Sequence, residues 1–284
     1  MCSKYTSIDV PFNTPVITSK AAGIILRSVI EFLAFYKKQI PFPYDTFKLM
    51  TNKIQKQVSE EDFSDDLLHM QIERHKLLAI NTFNDLRNLL ENVTNQLDQI
   101  ECNQALVLFG ATSQTPKEAF LINIPPITKY HHAVNHQDSI TRIAKSITMS
   151  ILTSSKFYEI DSKLNTTNMF VLLNSKVKPS NMCEDRFQLY EDFRLPRSCK
   201  TVVLNLRNTS PPTKMNCCEH LVVYDDLLND SLNVVDKQMA SMEINCDKSD
   251  DVTDDITGMG WHGSTVFVRG FKDVLVKGKS IWNC

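Results

Sequence analysis

The side chains best suited to chemistry gather in three places. Cys217-Cys218-Glu219-His220 joins two thiols, a carboxylate and an imidazole. His131, His132 and His136 cluster in YHHAVNHQ, and WHGSTV (Trp261–Val266) carries a serine beside a glycine. Each lacks the spacing its chemistry needs. Adjacent residues on a strand point to opposite faces, so Cys217 and Cys218 chelate one ion poorly, and no C-x-x-C accompanies them. The histidine cluster has no further ligands at metal spacing and reads as a solvated loop. WHGSTV lacks the frame of a nucleophile elbow, and there is no H-E-x-x-H. Gly110–Lys117 lacks the second glycine of a phosphate loop. Seven glycines in the whole chain leave no room for a glycine-rich cofactor loop. The expectation is a non-enzyme with no catalytic residues, no metal and no cofactor.

Composition narrows the class. A chain of 284 residues, 42% hydrophobic, suits one large domain or two small ones. A formal net charge of −2 gives no pull toward nucleic acid or a membrane surface. No stretch approaches the ~20 apolar residues of a membrane span. MCSKYTSIDVPFNTP lacks an apolar signal core, so secretion is not expected, and the sequons at Asn92, Asn165, Asn208 and Asn229 should be silent. The eight cysteines are scattered and read as reduced thiols.

Periodicity then gives the elements that could position a site. Ser19–Lys38 reads as a first helix, with Ile25, Leu26, Val29, Ile30 and Leu33 on one face and Thr18 or Ser19 as its cap. Phe32, Phe35 and Tyr36 widen its apolar stripe, which suits burial between layers or contact with a partner. Pro41 and Pro43 break it, and a short helical piece follows over Tyr44–Lys53. Ser59–Ile100 is one long helical pattern. Ala79, Phe83, Leu86, Leu90, Val93, Leu97 and Ile100 step by three and four. Such a seam suits a coiled coil, but it is short, and packing on a sheet is the preferred reading. Ala105–Asn123 predicts two strands about a polar turn at Thr112–Lys117. Ile140–Ile160 predicts a further helix with Ile140, Ile143, Ala144, Ile147 and Ile151 buried, and Arg142, Lys145, Thr148, Met149 and Leu152 off that stripe. Strands are expected at Asn168–Asn174, Thr201–Arg207 and His220–Tyr224, with Phe187–Pro196 extended or loop.

Asp225–Asp255 carries ten acidic residues against two basic ones, Lys237 and Lys248, and is expected to be a mobile linker. After it, Thr265–Phe271 gives a strand signal. The resulting partition is an N-terminal arm (1–17), a body (18–224), an acidic linker (225–257) and a final strand with its tail (258–284).

Four blocks resemble the Comet family, adaptors of the spindle-checkpoint protein Mad-two. They are FLAFYKKQIPFPYDTFK (Phe32–Lys48), LVLFGATSQTPKEAFLINI (Leu106–Ile124), EDRFQLYEDFRLP (Glu184–Pro196) followed by KTVVLNL, and VFVRGFK (Val266–Lys272). They come in the family's order. The resemblance implies an α+β, HORMA-like fold: a central antiparallel sheet backed by three helices, with a C-terminal safety belt. It also implies binding to the closed conformer of Mad-two and its presentation to a Pch-two-type AAA+ ATPase. Mitotic checkpoint complexes would then come apart, in nucleus and cytoplasm, associated with spindle or kinetochore in mitosis. Nucleic acid and membrane are not expected partners. The other readings kept open are a HORMA-type binder that captures a peptide and a coiled-coil scaffold through 79–100.

Transferred residue by residue, the resemblance places the Mad-two face at Tyr36, Lys145, Thr148, Met149 and Leu152. The family has a glutamine where this chain has Tyr36, which can supply an amphipathic anchor, and an aromatic where it has Thr148, a poorer anchor whose place Met149 or Leu152 is expected to take. The remodeller-facing loop maps to Phe187, Leu189, Tyr190, Arg194 and Pro196, with Leu189 and Tyr190 replacing a proline–lysine pair. The belt strand maps to Thr265, Val266, Phe267, Val268 and Phe271, and is expected to pair with its own sheet.

Overall fold

The computed structural model describes residues 5–58, 67–128, 137–159, 164–175, 186–190, 193–210, 260–276, 278 and 280–282. One compact unit is formed from 1–213 and 258–284. The acidic stretch, the expected strand at His220–Tyr224, Cys217–His220 and His131–His136 lie outside the described residues.

The elements run β1 (Tyr5–Phe12), α1 (Ser19–Tyr36), α2 (Tyr44–Val58), α3 (Leu67–Gln99), β2 (Cys102–Gly110), β3 (Pro116–Asn123), α4 (Gln137–Thr153), α5 (Ser155–Glu159), β4 (Asn168–Ser175), β5 (Phe187–Tyr190), β6 (Lys200–Asn208), β7 (Gly260–Ser264) and β8 (Val268–Arg269). The class is α+β, as expected. One sheet runs β1-β6-β3-β2-β4-β7-β5, with β8 also on β4. The pairs β2–β3, β2–β4, β4–β7, β4–β8 and β5–β7 are antiparallel. The centre of the sheet is antiparallel, as expected, and β6 adds to it by pairing parallel with both β3 and β1, so this side is mixed.

The arm assigned to 1–17 is corrected, because Tyr5–Phe12 is an edge strand of the sheet. Ile8, Val10 and Phe12 are buried while Ser7, Asp9 and Pro11 are exposed, the alternation of a half-buried strand. Pro11 is tolerated because the strand is at an edge.

Three helices back the sheet, α1 lying between α3 and α4, with α2 and α5 as smaller additions among the described residues. The seam from Ala79 to Ile100 is buried in the main core with α1 and the inner face of the sheet. It is therefore a core face and is not free to make a coiled coil. The helix expected over Ile140–Ile160 stops at Thr153 and restarts at Ser155. Its stripe, Ile140 to Ile151, is buried as predicted.

α1 begins with the Thr18 hydroxyl accepting the Ala21 N–H at 3.2 Å. It ends in a Schellman turn. Lys38 sits at φ 55°, the Lys38 N–H donates to the Phe35 carbonyl, and the Gln39 N–H donates to the Ala34 carbonyl. Pro41 and Pro43 prevent continuation.

On the other sheet face a small second core of Leu106, Leu108, Ala119, Leu172 and Cys199 is covered by Tyr190, Phe193, Leu195 and Trp261. Beside it runs a ladder of amides across five strands. Asn174 donates to Gln104 (3.2 Å), Gln104 to Asn123 (2.9 Å), Asn123 to Asn205 (2.6 Å), and Asn205 to Asp9 and Ser7 (2.9 Å each).

Candidate interaction face

The α1–α4 pair carries the face. The Ser28 and Thr148 hydroxyls lie 3.4 Å apart, and further along, Tyr36 meets Phe157 in α5 at 4.6 Å, so the two helices run in the same sense. The Thr148 hydroxyl donates to the Ala144 carbonyl at 3.1 Å, which leaves its oxygen to accept from Ser28. Small side chains at Ser28, Ala144 and Thr148 keep the floor low between the helices. The result is an open groove of about 610 Å³, with Phe32 and Phe35 on the α1 wall and Lys145 and Met149 on the α4 wall.

The start of α2 closes one end of the groove with Pro43, Tyr44 and Asp45. There Arg27 bonds Glu31 at 2.8 Å and lies over the Tyr44 ring at 5.3 Å. Burial raises the Glu31 carboxyl above its usual range, against the pull of Arg27. The walls are mainly apolar, with Lys145 on the α4 side, and the end is charged, the composition expected of an interface core and its rim.

The structure brings Lys145, Thr148 and Met149 together in this groove. Lys145 is exposed, Thr148 forms floor, and Met149 is 58% exposed on the rim. Leu152 lies one turn beyond Thr148, half-buried and outside the groove. Tyr36 is half-buried, with its ring stacked on Phe32 at 5.6 Å and tilted against Phe157. It is mainly a packing residue. Its neighbour Phe35, 40% exposed and in the groove wall, offers the freer aromatic surface. The helical period already placed Phe35 in the widened stripe; the tertiary position of α5, which covers Tyr36, was not readable.

The segment Phe187–Pro196 begins as strand β5, where sequence suggested extended chain or loop. Phe187 is buried in the main core. Tyr190 packs on the second core, its ring held over Gly263, where a Cβ would come within 2.4 Å of the ring. The Ser113 hydroxyl donates to the Tyr190 oxygen at 3.5 Å. Pro196 is half-buried, which leaves Leu189 and Arg194 as the exposed members of the set.

The belt does pair with its own sheet, but not as a continuous strand over Thr265–Phe271. β7 lies on β4 from Leu172 to Ser175, and β8 lies on Asn168 and Met169. Thr265, Val266 and Phe267 leave the β4 edge between them. The Thr265 N–H donates to the Arg186 carbonyl, and Phe267 stacks on Phe170 at 5.1 Å. Val268 and Phe271 are buried. GWHGS was missed as strand because glycine is a poor strand former; here Gly263 admits the Tyr190 ring.

Cys102 and Cys199 are free, buried thiols. Among the described residues no group of histidine, cysteine, aspartate and glutamate could hold a metal ion, and no helix is long and apolar enough to cross a membrane.

A family model described as "p31comet: Mad1 and Cdc20-bound-Mad2 binding" matches residues 1–228. No curated protein matches the chain.

Proposed function

Because this chain belongs to the p31comet family, a binding family with a HORMA-like fold, we propose that it is a Mad2-binding adaptor whose α1–α4 groove receives Mad2 held by Mad1 or Cdc20. The observation that carries the assignment to this face is the concave groove itself, with Phe35 and Met149 exposed at its rim. Large exposed apolar side chains beside a groove are the usual anchors of such contacts.

The finer steps extend the same reading. The bound conformer is closed Mad2. The adaptor presents it to a Pch-two-type AAA+ ATPase through the Phe187–Pro196 segment, where Leu189 and Arg194 are open to a partner. Remodelling of Mad2 takes mitotic checkpoint complexes apart and silences the checkpoint. The working location is nucleus and cytoplasm, at spindle or kinetochore in mitosis.

The test is calorimetric titration of this protein with Mad2 locked closed on a Cdc20 peptide and with Mad2 locked open. Met149→Glu should weaken binding to the closed form by about 30-fold or more. Arg194→Glu should leave that binding unchanged while slowing ATP-dependent release. Wild-type affinity in a folded Met149→Glu protein would remove the groove from the interface.

A further inference from the structure

Gln39 is a polar residue with no exposed surface, and every hydrogen-bonding group it carries is used. Its N–H donates to the Ala34 carbonyl at 2.9 Å, inside the last turn of α1. Its side-chain Nε2 donates to the Lys37 carbonyl. Its side-chain Oε1 accepts the Thr167 N–H at 2.8 Å, at the lead-in to β4. Its main-chain carbonyl accepts the Phe271 N–H at 2.8 Å, at the far end of the belt. One residue thus ties three segments that are remote in sequence.

The surroundings are shaped to the same contact. The Gly270 N–H donates to the Thr167 carbonyl at 2.9 Å, and the Thr166 hydroxyl donates to the Lys38 carbonyl at 3.3 Å. A Cβ on Gly270 would lie 2.5 Å from both Gln39 Oε1 and the Thr167 carbonyl, so only glycine permits the belt to come this close. Just past the clasp, Phe271 is buried against His75 at 4.7 Å and Trp282 at 5.9 Å. Trp282 packs in turn on Phe42 and Phe47. The belt is therefore fastened to the turn that ends α1, and that last turn carries Phe35 and Tyr36.

We propose that Gln39 is a positioning residue that clasps the belt to the end of α1, so that belt closure and the pose of the Phe35–Tyr36 turn are one event. The functional weight of that turn rests on the reading of the α1–α4 groove as the Mad2 face. Coupling of this kind is reciprocal: whatever steadies one end must steady the other.

Amide hydrogen exchange tests the clasp in the protein alone. In Gln39→Leu, exchange at Thr167, whose N–H loses its acceptor, and at Gly270 and Phe271 beside it should rise about tenfold or more, as expected when buried hydrogen bonds are lost. Exchange at Leu106, Val107 and Leu108 in the central sheet should not change. An equal rise at all these positions would mean global destabilisation and would overturn the clasp, as would no rise at all. Gly270→Ala approaches from the belt side and should give the same pattern at Thr167, Phe271 and Gln39. The wild-type chain supplies the arm that needs no variant: bound closed Mad2 should slow exchange at Phe271, which does not line the groove. Unchanged exchange there in a protein that binds would overturn the coupling. Failure to bind Mad2 at all would overturn the functional reading instead, while exchange in Gln39→Leu still decides the clasp.

Discussion

The Lys37 ammonium lies 2.9 Å from the Glu118 carboxylate, and both side chains are almost wholly buried. Lys37 caps the end of α1 and Glu118 belongs to β3, so the pair ties a helix end to the sheet. The ammonium also lies 5.4 Å from the centre of the Tyr36 ring and 5.5 Å from that of Phe120. Removing one partner of a buried pair leaves an uncompensated charge, whereas replacing both with apolar groups of similar size is far milder. Glu118→Gln should therefore cost about 3 kcal/mol of unfolding free energy. Lys37→Met combined with Glu118→Leu should recover most of it. Urea denaturation of the two proteins checks the order; a double variant no more stable than Glu118→Gln would contradict it.

Phe35 and Tyr36 should separate binding from packing. Tyr36 fills space between Phe32 and Phe157, so Tyr36→Ala should lower stability by about 2–3 kcal/mol. Phe35 stands in the groove wall with much of its ring exposed. Phe35→Ala should leave the thermal midpoint within a few degrees of wild type and weaken Mad2 binding by about tenfold or more. Thermal melts and titrations on both variants give the answer, and the reverse pattern would exchange their roles.

Acid should loosen the belt. His262 in β7 is buried, with Nδ1 at 3.1 Å from the Gly260 carbonyl. Burial holds its pKa below the ordinary 6.5, only partly offset by that bond. His75, against Phe271, is shifted the same way by burial, with Asp273 opposing. A depressed folded pKa means that the neutral form is favoured in the fold. The stability it contributes is complete above about pH 6.5 and declines as pH falls from there toward the folded value. Exchange at Gly260–Ser264, corrected for its intrinsic pH dependence, should accelerate between pH 6.5 and 5. Replacing His262 by glutamine should flatten the response; an unchanged slope would acquit this residue.

The Cys102 thiol should be inert. Burial pushes its pKa up to about 12, with Glu101 adding to the effect, and burial raises Cys199 as well. Only the thiolate is an effective nucleophile, so at pH 8 about one Cys102 in ten thousand is reactive. Mass spectrometry after brief alkylation of the native protein should find both peptides unlabelled. Labelling at the rate of an exposed thiol would show that β2 opens more readily than its burial suggests.

Much of the frame was legible in the sequence because amphipathic period survives packing. The seam from Ala79 to Ile100 and the stripe from Ile140 to Ile151 are buried almost residue for residue. Ala105–Asn123 folds as the expected pair of strands about a turn. β1 was overlooked although its alternation is regular, because its partner, β6, joins it in parallel from far along the chain. The belt was read one step too late, since three residues leave the β4 edge and no pattern of apolar residues encodes such an excursion. Of the α4 residues read on the helix's second face, Lys145, Thr148 and Met149 line the groove and Leu152 does not, while Ser28, Phe35 and Tyr44 depend on how three helices meet. Gln39 gives no signal at all. A lone glutamine before Ile40-Pro41 looks like a solvated loop residue, and only the tertiary structure shows it buried.

The amide ladder bears on how the chain is made. Its last rung joins Asn205 to Asp9, residues 196 positions apart. On a ribosome adding about 5–20 residues per second, the first strand waits roughly 10–40 s before its neighbour exists. During that interval Ile8, Val10 and Phe12 lack their neighbouring strand, and a chain emerging in order must hold an apolar strand open until that mate is synthesised. Each amide also serves as a gauge, since a slip of one residue would turn it to the opposite face and break the rungs on either side. Closure of the β1 edge is therefore delayed to the completion of β6, and the finished ladder certifies that five strands closed in the correct alignment.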